Sequence, residues 1–172
     1  MRKAFTMIEL TFVIVIIGIL AAIALPKFNA TRDDATLTKA MTTLASIRSA
    51  ITQEAQRRQM EGNYKPIFSL SLTSSSFNQT IFDNFDNNST GPRVLNYPIK
   101  SCKNSSSVGC WRLVSKGTTS NNGANGNPER YRYVFPKAVY NNNGAIDSVN
   151  YMLKNNRFIC RDNSNKCNIL EH

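Results

Sequence analysis

The side chains able to do chemistry are few and poorly grouped. The one histidine, His172, ends the sequence, so a histidine-dependent nucleophile–base set has nothing to work with. The carboxylates Asp83, Asp86, Asp147 and Asp162 stand apart from one another. No G-x-x-x-x-G-K-[ST] or G-x-G-x-x-G run is present to cradle a phosphate. These absences argue against an enzyme. Asp162-Asn163-Ser164-Asn165 alternates oxygen ligands, which makes Asp162, Asn163 and Asn165 candidates for calcium. The Glu that closes a twelve-residue EF-hand loop is missing, and a solvated turn is the plainer reading. No other metal or cofactor is expected. The remaining oddity is Glu9, an acid inside an apolar run.

The four cysteines, Cys102, Cys110, Cys160 and Cys167, all lie in the C-terminal half. An even count downstream of a membrane segment points to disulfides in an oxidising compartment. Zinc is the poorer fit, because the intervals are longer than those of paired C-x₂₋₄-C ligands and His172 is terminal. Four cysteines allow three pairings. The local pairs Cys102–Cys110 and Cys160–Cys167 are favoured, and a cross-pairing such as Cys110–Cys160 stays open.

The element that holds Glu9 dominates the first part of the chain. Of the 21 residues from Phe5 to Leu25, 17 are apolar, the exceptions being Thr6, Glu9, Thr11 and Gly18. As a helix this run is about 31 Å long, enough to cross a bilayer core of about 30 Å. Arg2 and Lys3 precede it, which puts the N-terminus in the cytoplasm and the bulk of the chain outside. A carboxylate in hydrocarbon costs several kcal/mol unless paired, so Glu9 marks a functional site by default. Three readings compete. One is a secretory signal cut after Ala22-Ile23-Ala24. Another is an uncleaved signal anchor with Glu9 at the interface. In the third, residues 1–4 are a short leader and Phe5 opens the mature chain.

The third reading is carried by a resemblance. The stretch MRKAFTMIELTFVIVIIGILAAIALPKF, residues 1–28, closely resembles the N-terminus of type IV pilins and of the pseudopilins of type II secretion and DNA-uptake machines. The matching features are the basic leader, Phe5 at the cut, Thr6, Glu9-Leu10, Gly18 and the stretch ending at Pro26. Ala4 departs from the glycine usual before the cut, and processing is expected to survive it, more slowly. The resemblance implies cleavage between Ala4 and Phe5 by a prepilin peptidase and N-methylation of the Phe5 amine. It implies assembly into a filament with other pilin-like subunits, through an inner-membrane platform protein and an assembly ATPase. The location implied is the bacterial inner membrane, single-pass with a periplasmic head, then a filament or the cell surface. Some secretion pseudopilins bind calcium in a C-terminal loop, which is the family context for Asp162, Asn163 and Asn165.

Physical chemistry supports the role independently. Cleavage before Phe5 leaves an α-amino group that is mostly charged at neutral pH. Glu9 lies about 6 Å up the same helix, too far along the rod for a good pair within one subunit. Axially staggered neighbours bring Glu9 of one chain to the Phe5 amine of the next. Each charge then offsets the cost of the other.

Pro26 removes a backbone donor and is expected to break or kink the helix. Beyond it, Leu37, Met41, Leu44, Ile47 (or Ala45), Ile51 and Ala55 form one apolar stripe, with Arg48, Thr52, Glu54 and Arg58 off it. Gly62 suits the C′ position after the last turn. The chain thus divides into a leader (1–4), a transmembrane and polymerisation half-helix (5–25), an amphipathic half-helix (26–61) and a head (62–172).

In the head, Val94–Ile99, Trp111–Ser115, Tyr131–Phe135 and Arg157–Cys160 read as strands. Thr90-Gly91-Pro92, 121–128 and Asn141–Gly144 read as turns, and 67–90 as an irregular connector. No helical pattern separates the strands, so an antiparallel meander follows. The fold class is α+β: a long helix packed on a small antiparallel sheet, which is also the head that the resemblance implies. The aromatic alternation at Tyr131, Tyr133 and Phe135 fits one buried sheet face, with a nucleic-acid stacking platform as the alternative.

Charge bounds the partners. With 21 Lys+Arg and 11 Asp+Glu the net charge is 21 − 11 = +10, yet the mean hydropathy is only −0.32. That average excludes a multi-span membrane protein and a fully disordered chain. The cations are scattered, with no run of the kind a nucleic-acid arm uses. The function expected is a structural filament subunit, a pseudopilin or minor pilin. The alternative is a membrane-anchored protein whose basic head captures a ligand such as DNA.

Overall fold

The structure is a computed structural model; it describes residues 5–117, 128–136 and 147–171, with the side chains of 23–31 outside that description. The leader with Ala4, the turn signals at 121–127 and Asn141–Gly144, and His172 lie outside the described residues.

One helix, α1 (Met7–Met60), organises the molecule. Its 54 residues make a rod of about 81 Å. The expected break at Pro26 is absent: the helix runs on through it. A proline forfeits one backbone hydrogen bond, and the helical turns on either side hold the rod together. At the other end Glu61 is the C-cap and Gly62 adopts φ +72°. Gly62 N–H donates to the Gln59 carbonyl at 3.1 Å and Asn63 N–H to the Arg58 carbonyl at 2.8 Å, the paired bonds of a Schellman stop.

The core is built on the second half of α1. Ala40, Leu44, Ile47 and Ile51 are buried, with Leu37, Met41 and Ala50 packed against them. Past Ile51 the buried face departs from the expected stripe, which ran on to Ala55 with Glu54 and Arg58 off it. Glu54 and Arg58 are buried too, while Ala55 is only half-buried. The cause is pairing. Arg58 Nε donates to Glu54 Oε1 at 2.7 Å, and Arg58 reaches Asp86 of the head at 2.6 Å. Arg57 adds two bonds to the same carboxylate. Burial pushes the Glu54 carboxyl up, but the Arg57 and Arg58 hydrogen bonds outweigh it and hold it below the usual range.

The head carries two sheets. Strands β1 (Thr80–Ile81) and β2 (Ile99–Lys100) form a short antiparallel pair. Strands β3 (Cys110–Ser115), β4 (Arg130–Val134), β5 (Ser148–Lys154) and β6 (Arg157–Cys160) form an antiparallel meander in chain order. A short helix, α2 (Ser164–Glu171), packs on α1 and β5. The architecture is α+β.

Three expectations need correcting. Val94–Ile99 is not a strand: only Ile99 enters one, and Pro98 has no N–H to give a ladder. The connector at 67–90 is not wholly irregular, since it holds β1 and a turn at Phe85–Asn87. Strand β5 went unread, although Val149, Tyr151 and Leu153 alternate toward the core. The β5–β6 hairpin turns on Asn155 and Asn156, both at positive φ, as a two-residue turn requires.

The sheet's inner face is aromatic. Phe82, Tyr133, Tyr151 and Phe158 surround Trp111, with ring centroids 5.1–6.3 Å from it, and Tyr131 packs on Phe82 and Phe158. Tyr131, Tyr133 and Phe135 are at most 1% exposed, so they are core residues and not a stacking platform for bases.

Candidate functional site

The N-terminal end of α1 has local chemistry of its own. Thr6 is its N-cap. Thr6 N–H and Thr6 Oγ1 both donate to Glu9 Oε2 at 2.9 Å, and Glu9 N–H donates to Thr6 Oγ1 at 3.3 Å. This reciprocal capping box has the signature T-x-x-E, which sequence reasoning passed over by treating Glu9 only as an intramembrane acid. Both side-chain bonds go to Oε2. Among the described residues Oε1 accepts none, so the carboxylate can hold the cap and still take another donor.

Around Glu9 the helix is apolar and uncovered. Phe5, Met7 and Ile8 are 77–85% exposed, and every large apolar side chain from Leu10 to Leu20 is exposed as well. Among the described residues the first buried position on the helix is Ala40. Among the described residues no helix is long and apolar enough to cross a membrane. The described apolar side chains stop at Ala22, and the last three residues of the 5–25 run lie beyond them.

The remaining sequence candidates fall elsewhere. Cys102 is bonded to Cys110 and Cys160 to Cys167, with Cα–Cα distances of 5.3 and 5.9 Å. The first bridge ties the approach to β3, and the second ties the end of β6 to α2. Asp162 accepts from Asn150 N–H at 2.7 Å and from Asn150 Nδ2. Asn163 Oδ1 accepts from Lys166 N–H at 3.2 Å at the start of α2, and Asn165 lies within that helix. The three calcium candidates are therefore engaged with a strand or a helix rather than gathered round one point. Among the described residues no group of three or more His, Cys, Asp or Glu converges on a metal position.

The isolated aspartates act as fasteners. Asp83 accepts from Leu72 N–H at 2.9 Å, Asp86 from Phe68 N–H at 2.7 Å, and Asp147 pairs with Lys166 at 2.5 Å. A groove of about 810 Å³ lies between α1 and the 92–99 segment. Its helix wall begins with the small side chains of Thr42, Thr43, Ala45, Ser46, Ser49 and Ala50, and its lining sets no nucleophile beside a base.

Sequence reasoning also missed Glu129, which is fully buried one residue before β4. Its Oε2 accepts from Leu70 N–H at 2.6 Å and from the Tyr131 hydroxyl at 3.1 Å, and Oε1 from Ser69 Oγ at 3.0 Å. Lys116 Nζ stands 3.9 Å away. Burial pushes the Glu129 carboxyl up to about 7, against the pull of Leu70, Lys116, Ser69 and Tyr131. A lone acid before an aromatic strand gives no signal of this in sequence.

Comparison with known proteins adds one finding. Over 48 residues the chain is 54% identical to the type IV narrow pilus major component PilA5 of Thermus thermophilus. The match takes in 28% of this chain, and the chain spans about two-fifths (41%) of the length of that relative. No protein-family profile matches the chain, and no match among solved structures was found. The match supports a relationship to the pilin family.

Proposed function

We propose that the protein is a structural subunit of a pilus-type filament, built on a pilin-like fold and assembled through the first half of α1. The observation that carries the reading is an uncovered apolar helix end, with an acid inside it, on the same rod that forms the core of the head. Such a surface needs a lipid or protein partner. The apolar run continues in sequence to Leu25, which completes a single pass of the inner membrane with the head outside. Cleavage between Ala4 and Phe5, then methylation of the new amine, prepares the subunit. Glu9 keeps its cap bond to Thr6 through Oε2 and offers Oε1 to the Phe5 amine of a staggered neighbour. Other pilin-like subunits, a prepilin peptidase, a platform protein and an assembly ATPase are the partners. A pseudopilin or minor pilin is favoured over a major subunit.

The test has two parts. Sequencing of the mature protein is expected to begin at Phe5; a start at Leu25 removes the helix and with it the filament reading. Glu9→Ala is expected to leave the protein in the membrane fraction and abolish filaments seen by electron microscopy. Normal filament yield from that variant refutes the pairing.

A further inference from the structure

The face of the four-stranded sheet turned away from the core is an arginine surface. On β3 and β4 the buried residues alternate with Arg112, Arg130 and Arg132, which stay partly exposed. The register puts Arg112 directly opposite Arg132, and Arg132 opposite Asn150. Directly opposed side chains on one face have Cβ atoms about 5 Å apart, and like charges there are destabilising. A sheet selected for stability alone would put a carboxylate at one of the two positions. None is within ion-pair reach of Arg112, Arg130 or Arg132 among the described residues. In sequence, 118–127 and 137–146 contain no Asp or Glu. Glu129 is turned into the core, and Asp162 is spent on Asn150.

The guanidinium groups are held in place. Arg130 Nε donates to Ser115 Oγ at 2.9 Å, and Arg132 Nε to Asn150 Oδ1 at 2.8 Å. Arg112 lies over the Phe77 ring, 5.6 Å from its centroid. Each uses one edge or one face on its neighbour. Planar guanidinium forks fixed in this way suit bidentate contact with phosphate. Burial and the Arg132 charge both push the Arg112 guanidinium down from its usual value, so an added anion relieves a cost that the fold already bears.

We propose that this outer sheet face, centred on Arg112, Arg130 and Arg132, binds the phosphate backbone of a nucleic acid. The proposal goes beyond the filament reading and does not depend on it. Bases are not read: the aromatic residues of β4 are buried, and the exposed groups are cations. A lipid headgroup surface fits less well. Tyr133 Oη donates to the Thr36 carbonyl at 3.3 Å. Thr36 is 11 residues past Leu25, the end of the apolar run, about 17 Å along the rod and beyond a Debye length of about 10 Å. A second copy of this chain fits less well too, since both copies are strongly basic.

The experiment uses the full chain in nonionic detergent micelles with a fluorescent DNA oligonucleotide, single- or double-stranded, followed by anisotropy across a salt series. The variant is the triple Arg112→Gln, Arg130→Gln, Arg132→Gln, since Gln can keep the Ser115 and Asn150 bonds. The control is Lys154→Gln with Arg157→Gln, at the hairpin tip. The wild type is expected to bind with log K falling linearly against log salt. The triple variant is expected to reduce that slope by about 2–3 units and to weaken binding at least tenfold at low salt. The control is expected to change the slope by less than one unit. Unchanged cooperative unfolding, read by the single Trp111, shows that each variant is folded. Three results overturn the proposal: no binding by the wild type, equal loss from the control, or tighter binding of a sulfated polysaccharide than of DNA. Loss of filaments in cells with DNA binding intact also overturns it and assigns the arginines to subunit contact.

Discussion

The buried carboxyl of Glu129 sets a pH dependence that can be worked out in advance. In the unfolded chain its pKa is near 4.5, and in the folded head burial pushes it up to about 7. Between those values the folded state keeps a proton that the unfolded state has lost. The unfolded state then binds fewer protons, so stability falls as pH rises through the window and levels off above 7. The difference is 7 − 4.5 = 2.5, and at 1.36 kcal/mol per pH unit this is about 3 kcal/mol between pH 4.5 and pH 8. Glu54 has the opposite sign, since its carboxyl is held low, but its effect is confined to pH below about 4.5.

The site shows where the proton sits. Ser69 Oγ can donate to the Ser71 carbonyl at 3.0 Å, so it is free to accept from a protonated Oε1. Leu70 N–H continues to donate to Oε2. A glutamine satisfies the same pattern, with its amide NH₂ toward Ser69. Glu129→Gln is therefore expected to match the wild type within about 1 kcal/mol at pH 5 and to be more stable by about 2–3 kcal/mol at pH 8. Guanidinium titrations of the full chain in nonionic detergent, disulfides intact, read the difference through Trp111, which packs against Tyr131's neighbours Phe82 and Phe158. The reasoning fails if the variant loses stability between pH 5 and pH 8 as steeply as the wild type does. It fails equally if the wild type is flat across that range.

Two further outcomes concern the packing around Glu54 and Glu129. Arg58→Ala leaves Glu54, whose side chain is 3% exposed, and Asp86 without their shared cation, and is expected to cost about 3 kcal/mol in the same titration. Gly117→Ala puts a Cβ 2.0 Å from the Phe68 carbonyl oxygen and 3.1 Å from the Glu129 side chain. The backbone must shift, with an expected loss of about 2 kcal/mol or more and a change in the pH profile assigned to Glu129.

What sequence shows about this chain depends on whether a residue's environment is local. The long helix, its apolar stripe as far as Ile51, its stop at Gly62 and the antiparallel order of the later strands all follow from nearest-neighbour patterns. Glu54 and Arg58 do not. A Glu–Arg pair one turn apart looks the same on a solvated face as under a cover, and the cover is Asp86, which arrives from the 67–90 segment at positive φ. Helix α2 was hidden for a similar reason: five of its eight residues are polar, and only Cys167 and Leu170 are buried. Neither position declares itself before the bridge to Cys160 and the packing on α1 are in place.

The arginine face shows the same division within a single strand. Alternation in Tyr131-Arg132-Tyr133 assigns the tyrosines to one side, and a period of two then assigns Arg130 and Arg132 to the other. That much is local. The like-charge contact is not, because it needs the register that sets Arg112 against Arg132 across two strands separated by the 116–129 connection. A one-residue slip would bury both arginines and expose Trp111 and Tyr133, so the aromatic core fixes the charge pair. The core thus makes the basic face unavoidable once Arg112 and Arg132 occupy these positions. A bound polyanion would relieve the repulsion that this register builds in, and the salt slope of the Gln triple variant tests whether that polyanion is nucleic acid.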